Sequence, residues 1–277
     1  MLYLLPSPIG NLSDITLRVL EILQKGEVFL CEDTRLTRKL LSLLEQKGFL
    51  LQKERRFFSF HSHNQDDFFD KLDPSFFDPI VIFMSDAGMP CISDPGSMLV
   101  RYAQQFGLPY EVLPGGSAST LVYCYSGFGD GGFVFDGFLP HKRAERRMKL
   151  LQWREILSAI NLPLIAFEAP HRIFETLQDL REIDEECEVF AIKEMTKKFE
   201  RFFRGKVENV LCQIQGQNLH GEWALVLRFS SLKCEKKIGS AEVMELDIPP
   251  KVKAKILSKI TDLSSKDWYE KLLGDRM

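Results

Sequence analysis

The chain has 277 residues, 45% of them apolar and 27% charged, and a formal net charge of −3. That length suits two domains of ordinary size, and the composition is globular, which excludes disordered and collagen-like classes. No apolar run approaches the ~20 residues that span a bilayer, and so small a net charge leaves any nucleic-acid recognition to local basic patches. The start MLYLLPSPIG has no basic leader and meets Pro6, so no signal peptide is expected. Six scattered cysteines without a CxxC pair suit reduced, mostly buried thiols in a cytoplasmic protein.

Strand-like and helix-like segments alternate along the chain. A strand over 2–6 leads to a helix over 15–25 with apolar 3–4 spacing, stopped by Gly26. A second strand over 27–31 precedes a helix over 34–46. Further strands are expected over 57–61, 80–85 and 110–113, the last two separated by a helix over 97–106. After residue 118 the alternation restarts. Strands over 133–137 and 162–167 flank a long charged helix over 142–160; a helix over 171–180 and strands over 188–193, 201–204 and 222–229 follow. This pattern predicts α/β sheets with helices on both faces: an N-terminal α/β domain over 1–118, a second over 119–230, and a small lysine-rich helical tail over 231–277 with helices at 251–260 and 268–273.

The most punctuated stretch is SDAGMPCISDPG, Ser85 to Gly96, directly after the apolar run PIVIFM. Two glycines and two prolines in twelve residues exclude regular structure, and loops at the carboxyl ends of strands are where open α/β sheets bind ligands. The loop Ser7-Pro8-Ile9-Gly10-Asn11 follows the first strand and is either a tight turn or a ligand loop; it is neither GxGxxG nor a P-loop. Glu32-Asp33-Thr34-Arg35 ends the second strand, as a helix cap or as functional charge on the same sheet edge. His61-Ser62-His63 suggests a metal site with Asp33 and Asp86, but adjacent strand residues alternate faces, and loop histidines bonded to Asn64 or backbone are the simpler reading. Basic residues gather at Lys142, Arg143, Arg146, Arg147 and Lys149, again at Lys193, Lys197, Lys198, Arg201 and Arg204, and at Lys53, Arg55 and Arg56. Each group is either a solvated face or a grip on phosphates.

Taken in order, SPIGNLSDIT, EDTRLTRKLL, SDAGMPCISDPG, PGGSAS, FDGFLPHK, FEAPHRI and KEMTKKFERFFRG resemble the signatures of the ribosomal RNA small subunit methyltransferase I family, of the tetrapyrrole methylase superfamily. The resemblance covers roughly residues 2–230, with Ser7, Met89 and Gly116 standing where threonine, threonine and proline are usual. It implies two α/β domains of tetrapyrrole methylase type with S-adenosylmethionine in the cleft between them, usually in a homodimer. It also implies methylation of a cytidine 2′-hydroxyl in the decoding region of small-subunit rRNA. By matching motifs, Pro8, Asp86, Ala87, Gly88, Ser117 and Ala118 are expected cofactor contacts, with Phe167 on the adenosine side.

Displacement at a sulfonium methyl needs alignment of the reacting atoms and help for a weak hydroxyl nucleophile. Asp33, Glu168 and Glu194 are the candidate bases, with Lys197 as a catalytic cation; Arg35, Lys142, Arg146, Arg147, His171 and Arg172 are the expected RNA contacts, and no metal is required. His171 has the alternative role of capping the helix that follows it. The competing classes are a porphyrinoid methyltransferase, a non-catalytic rRNA-binding assembly factor and, last, a metal-dependent phosphoesterase.

Overall fold

The first half of the chain folds its short apolar runs into one parallel sheet. Strands β1 (Leu2–Leu5), β2 (Val28–Cys31), β3 (Arg56–Ser59), β4 (Val81–Met84) and β5 (Tyr110–Val112) lie in the order β3-β2-β4-β1-β5. The computed structural model describes residues 1–62, 64–70, 72–129, 131–231, 239–246 and 248–274. Between the strands run helices α1 (Leu17–Lys25), α2 (Thr34–Gln46), α3 (Gln65–Asp70) and α4 (Gly96–Gln105). Alternation along the strands divides the core into two layers. Leu5, Phe29, Cys31, Ile82 and Met84 pack with Val19, Leu23 and Leu41 on one face; Leu2, Leu4, Leu30 and Phe83 pack with Phe60, Leu99 and Ala103 on the other. Burial on both faces explains why β2 and β4 are apolar at every position. Much of the phenylalanine content is here: Phe60, Phe68, Phe69, Phe76 and Phe77 meet mostly edge to face.

The second half begins with helix α5 (Ala118–Ser126) and builds a mixed sheet. Strands β6 (Val134–Phe138), β7 (Leu164–Glu168), β8 (Glu188–Lys193), β9 (Arg201–Lys206) and β10 (Trp223–Arg228) are ordered β6-β7-β10-β8-β9, with only the β6–β7 pair parallel. Helix α5 packs on β7 and β10. Helices α6 (Arg143–Ile160), α7 (Ile173–Ile183) and α8 (Val207–Ile214) enclose the main core of this half, where Leu150, Leu157, Leu177, Leu180, Val210 and Leu211 meet Leu164, Ala166, Val189 and Leu225.

Both sheets belong to one compact unit, Met1–Ser231; Leu232–Met277 is a second. The latter contains α9 (Ser240–Glu245), α10 (Pro250–Ile260) and α11 (Ser265–Gly274). Pro250 stands at the start of α10, where its missing N–H costs nothing, and Ser264 and Asp267 cap α11 reciprocally. Trp268 Nε1 donates to Thr261 Oγ1 at 2.6 Å across the turn between them.

The sequence-based reading omits α3, α5, α8 and α9. Position 118, chosen there as a boundary, is the first residue of α5. Among the described residues no helix is long and apolar enough to cross a membrane, and no group of at least three His, Cys, Asp or Glu is arranged to hold a metal ion. His63 and Cys234 lie outside the described residues. His61 donates its backbone N–H to Asn64 Oδ1 at 2.8 Å.

Candidate functional site

β1, β2 and β4 are parallel neighbours, so their carboxyl ends open on one edge of the sheet. The loops that leave them are tied together there. Ser7 and Gly88 exchange two backbone hydrogen bonds of 2.9 Å, and Ser7 Oγ donates to Ser85 O at 2.6 Å. Asp33 N–H donates to Asp86 Oδ1 at 3.1 Å, and Asp86 N–H to Glu32 Oε2 at 3.2 Å. Gly88 makes this bridge at φ +77°, a conformation that favours glycine. Beyond it, Asp94 Oδ1 accepts from Cys91 N and Gly96 N at 2.9 and 2.8 Å, closing a loop in which Cys91 and Ser93 sit at φ 68° and 69°. Left-handed backbone at non-glycine residues costs about 1–3 kcal/mol each and concentrates at functional sites.

A cavity of about 380 Å³ separates this edge from the second sheet. The first half contributes Ile9, Glu32, Ser85, Ala87, Gly88, Ile92, Ser93 and Asp94; the second contributes Phe138, Phe167, Ala169, Ile192, Met195, Glu222 and Trp223. Most of the wall is apolar, with a few convergent polar groups, the usual character of a small-molecule site. Asp94 Oδ2 is buried without a hydrogen-bond partner. Two further cavities flank the loop after β1. One, of about 530 Å³, lies between Pro6–Ile9, Gly115–Ser117 and α5; the other, of about 430 Å³, lies between Pro8–Gly10, α2, Asp86 and Lys197.

The segment after β8 closes the rim. Gly10 is pressed against it so closely that a Cβ would stand 2.4 Å from Lys197 Cγ and 2.9 Å from Met195 O. Lys197 Nζ bridges Glu194 Oε1 and Glu222 Oε2 at 3.1 and 3.0 Å, and Glu194 Oε1 also accepts from Glu222 N. Burial opposes the charge on Lys197, but Glu222 and Glu194 outweigh it and raise its pKa. Burial likewise pushes Glu194 up, yet the Glu222 N–H and Lys197 hold it below its ordinary value. The pair is therefore ionised, with Lys197 unsuited to accept a proton.

The carboxylates at the first edge differ from one another. Burial raises the pKa of Glu32, with the Asp86 N–H opposing and Asp94 and Asp86 adding repulsion. Burial also raises Asp86 and Asp94. Asp33 is held down to about 2 by hydrogen bonds from the Arg35 guanidinium and backbone.

Of the residues expected to hold a cofactor, Ala87, Gly88, Ala118 and Phe167 line the 380 Å³ cavity. Pro8 and Ser117 border the 530 Å³ cavity, and Pro8 and Asp86 the 430 Å³ one. Glu168 is differently occupied from the base expected of it: its buried carboxylate accepts from Arg172 Nε at 2.8 Å, Thr176 Oγ1 at 2.7 Å and Ala169 N at 2.7 Å. Arg172, expected to meet RNA, is buried on Glu168, and Arg146 is fully buried against Glu175 and Asp179. A guanidinium enclosed with its counter-ion is not available to phosphate, so the geometry corrects both expectations. Arg147 is held by Asp179 and Glu182, Lys142 is exposed beside Glu145, Arg35 is exposed on Asp33, and His171 is exposed with its ring 6.4 Å from that of His141. Asp94 and Glu222 are wall residues that sequence reasoning did not single out, and Glu32, noted there only as part of the charged cluster after β2, is a third. Asp94 had a signal, since an Asp two residues before the glycine that starts α4 is a natural loop-closing acceptor.

Residues 1–211 match the family Tetrapyrrole (Corrin/Porphyrin) Methylases. Over the whole chain, proteins called "Ribosomal RNA small subunit methyltransferase I" align from Helicobacter pylori strain J99 (44% identity, 100% of this chain, 99% of the relative) and Campylobacter fetus (45%, 99% and 100%). The chain belongs to the ribosomal RNA small subunit methyltransferase I family of tetrapyrrole methylases. The Thermotoga maritima member is 39% identical over 82% of this chain and 97% of its own. The tetrapyrrole methylase fold also appears in solved structures. Uroporphyrin-III-C-methyltransferase from Thermus thermophilus superposes with a TM-score of 0.53 at 18% identity, covering 82% of this chain and 93% of its own. Cobalt precorrin-4 methyltransferase, a cobalamin biosynthetic enzyme, gives 0.57 at 13%, covering 81% and 93%. At such identities the likeness is one of fold.

Proposed function

We propose that this chain transfers a methyl group from S-adenosylmethionine to the 2′-hydroxyl of a cytidine in the decoding region of small-subunit rRNA. The observation that carries the reading is full-length similarity to relatives named for rRNA methylation, joined to a cleft between two sheets that suits the cofactor. Apolar walls at Ile92, Phe138, Phe167 and Ile192 fit a purine and its thioether chain, and the orphaned Asp94 Oδ2 is an acceptor for an ammonium, amine or hydroxyl. When bound, the cofactor supplies an electrophilic methyl on a sulfonium.

The residues of the chain bind, orient and accept a proton. Glu32 borders the cleft and accepts the Asp86 N–H with Oε2, which among the described residues leaves Oε1 free to take the proton of a hydroxyl nucleophile. Its raised pKa makes it a stronger base than Asp33, which Arg35 keeps near 2. Lys197, neutralised by Glu194 and Glu222, ties the segment after β8 to the Glu222 wall of the cleft and so positions the rim. The reading includes a homodimer, checked by light scattering, and a cytoplasmic setting.

Methyl incorporation from labelled S-adenosylmethionine into purified small ribosomal subunits, followed by mapping, tests it. A single 2′-O-methylcytidine in the decoding region is expected. A protein that binds the cofactor yet leaves unmethylated subunits unlabelled would sink the reading.

A further inference from the structure

Strand β9 is an edge strand, and its sequence RFFRGK continues the KKFE segment that leaves the rim of the cleft. Residues along it alternate between faces. Phe203 turns inward and stacks on Trp223, while Phe202 lies over Phe190 on the opposite face and remains 59% exposed. Arg204 follows on that face, its guanidinium 5.3 Å from the ring of Phe128. Phe199, at the foot of the strand, is 68% exposed with Lys198 Nζ 5.6 Å from its ring centre. Tyr125, half-exposed, reaches Glu200 from the wall of the 530 Å³ cavity and so joins that cavity to the strand.

The charges here are uncommitted. Among the described residues Lys198, Arg201 and Arg204 have no carboxylate ion-pair partner; Arg201 donates only to Gln217, at 3.2 Å. Exposed aromatic rings interleaved with unpaired cations are the features with which proteins hold single-stranded nucleic acid, bases stacking on rings while the cations follow the phosphates. Internal pairing of Arg146, Arg147 and Arg172 reduces the basic surface expected elsewhere in this half to Lys142 and His171.

We infer that the β9 edge, from Lys198 to Arg204, is the surface on which an unpaired RNA strand lies, its bases on Phe199 and Phe202 and its phosphates on Lys198 and Arg204. The inference rests on the RNA-directed reading above and gives it a place on the molecule. A strand so held runs toward the cleft, because Arg201 pairs with Lys193 at the end of β8 from which the rim segment starts.

The test uses the full chain, a fluorescein-labelled single-stranded oligocytidylate and unmethylated small ribosomal subunits. Phe199→Leu and Phe202→Leu keep apolar bulk and remove the ring; each is expected to weaken oligonucleotide binding about tenfold. Lys198→Gln with Arg204→Gln is expected to reduce the slope of log K against log salt by about 1.4, at ~0.7 per cation. S-adenosylmethionine affinity, read by calorimetry, and the melting temperature should stay at wild-type values, separating lost RNA contact from lost fold. Unchanged RNA affinity and slope in variants of a protein that still methylates subunits would overturn the inference and leave the function standing. So would loss of a dimer without loss of RNA affinity, which would assign the strip to a second copy of the chain. A wild-type protein that neither binds nor methylates RNA would overturn the functional reading itself.

Discussion

Helix α6 and strand β9 are the two cation-rich elements of the second sheet's half, and their charges have opposite fates. On α6, Arg143, Arg146 and Arg147 all converge on Asp179, with Glu175 and Glu182 completing the network; Asp179 and the Arg146 side chain are fully buried. On β9, Arg204 faces an aromatic ring and Arg201 a neutral amide, and only Lys206, at the far end among the described residues, meets a carboxylate, that of Glu186. The same division holds among carboxylates: Glu168 is saturated by Arg172, Thr176 and a backbone N–H, whereas Asp94 keeps a buried oxygen without a partner and Glu32, among the described residues, engages only Oε2. Charge with its partner inside the fold serves the fold, and charge left over marks where something else binds.

The largest effect should come from breaking the first group. Asp179→Ala leaves three guanidiniums, the buried Arg146 among them, to Glu175 and Glu182 alone, and removing one partner of a buried ion pair costs about 3–5 kcal/mol. Denaturant titration should show that loss, while RNA binding by any surviving folded protein keeps its salt slope. The sign of the pH effect is also fixed. Burial raises Asp179, but Arg143 and Arg147 outweigh it and lower the pKa, so its contribution is complete above the ordinary Asp range and fades as pH falls.

Next is Glu32, the uncommitted carboxylate of the cleft. Glu32→Gln should lower kcat about a hundredfold, or ~2.7 kcal/mol, with cofactor affinity retained. In the wild type the acid limb of kcat/KM should titrate above the usual Glu value, and the substitution should abolish that limb. Because the folded pKa is raised, the folded state binds more protons than the unfolded one between the two values, so Glu32 works against stability as pH rises through them. Glu32→Gln should therefore melt no lower than wild type at neutral pH. Lower stability there would return Glu32 to the class of charges that hold the fold.

A smaller effect tests how the two walls meet. Gly10→Ala places a methyl against Lys197, Thr196 Oγ1 and the Met195 carbonyl, so the rim segment must shift. Overpacking of this kind costs about 2 kcal/mol. Calorimetry should record the lower melting temperature, and methylation assays a larger loss than stability alone explains, because Lys197 moves with the segment.

The sheets were legible in the sequence because buried strands such as Val81–Met84 have no polar positions, and the ligand edge was legible because Ser85–Gly96 cannot be regular structure. Helix α5 was not: ASTLVYCYS is rich in β-branched and aromatic residues, which weaken a helical signal, and only its packing on β7 and β10 makes it one. Helix α8 had the signal, with Val207, Val210, Leu211 and Ile214 at helical spacing, but followed too closely on a short strand to be separated from it. The roles of the charges were hidden for a different reason. Arg146 and Arg204 look alike in sequence, and what distinguishes them is Asp179, on a helix that folds back from 33 positions further along.

The smallest predicted effect is the most direct comparison of the two elements. Arg147→Gln removes a guanidinium that already has Asp179 and Glu182 at 2.7 and 2.6 Å. The salt dependence of RNA binding comes from counterions released when free cations meet phosphate, so a cation neutralised within the protein contributes little to it. The oligocytidylate slope should then change by less than ~0.2, against ~0.7 for Lys198→Gln or Arg204→Gln alone. Equal changes at Arg147 and Arg204 would mean that the α6 network opens to RNA, and internal pairing would cease to separate the two elements.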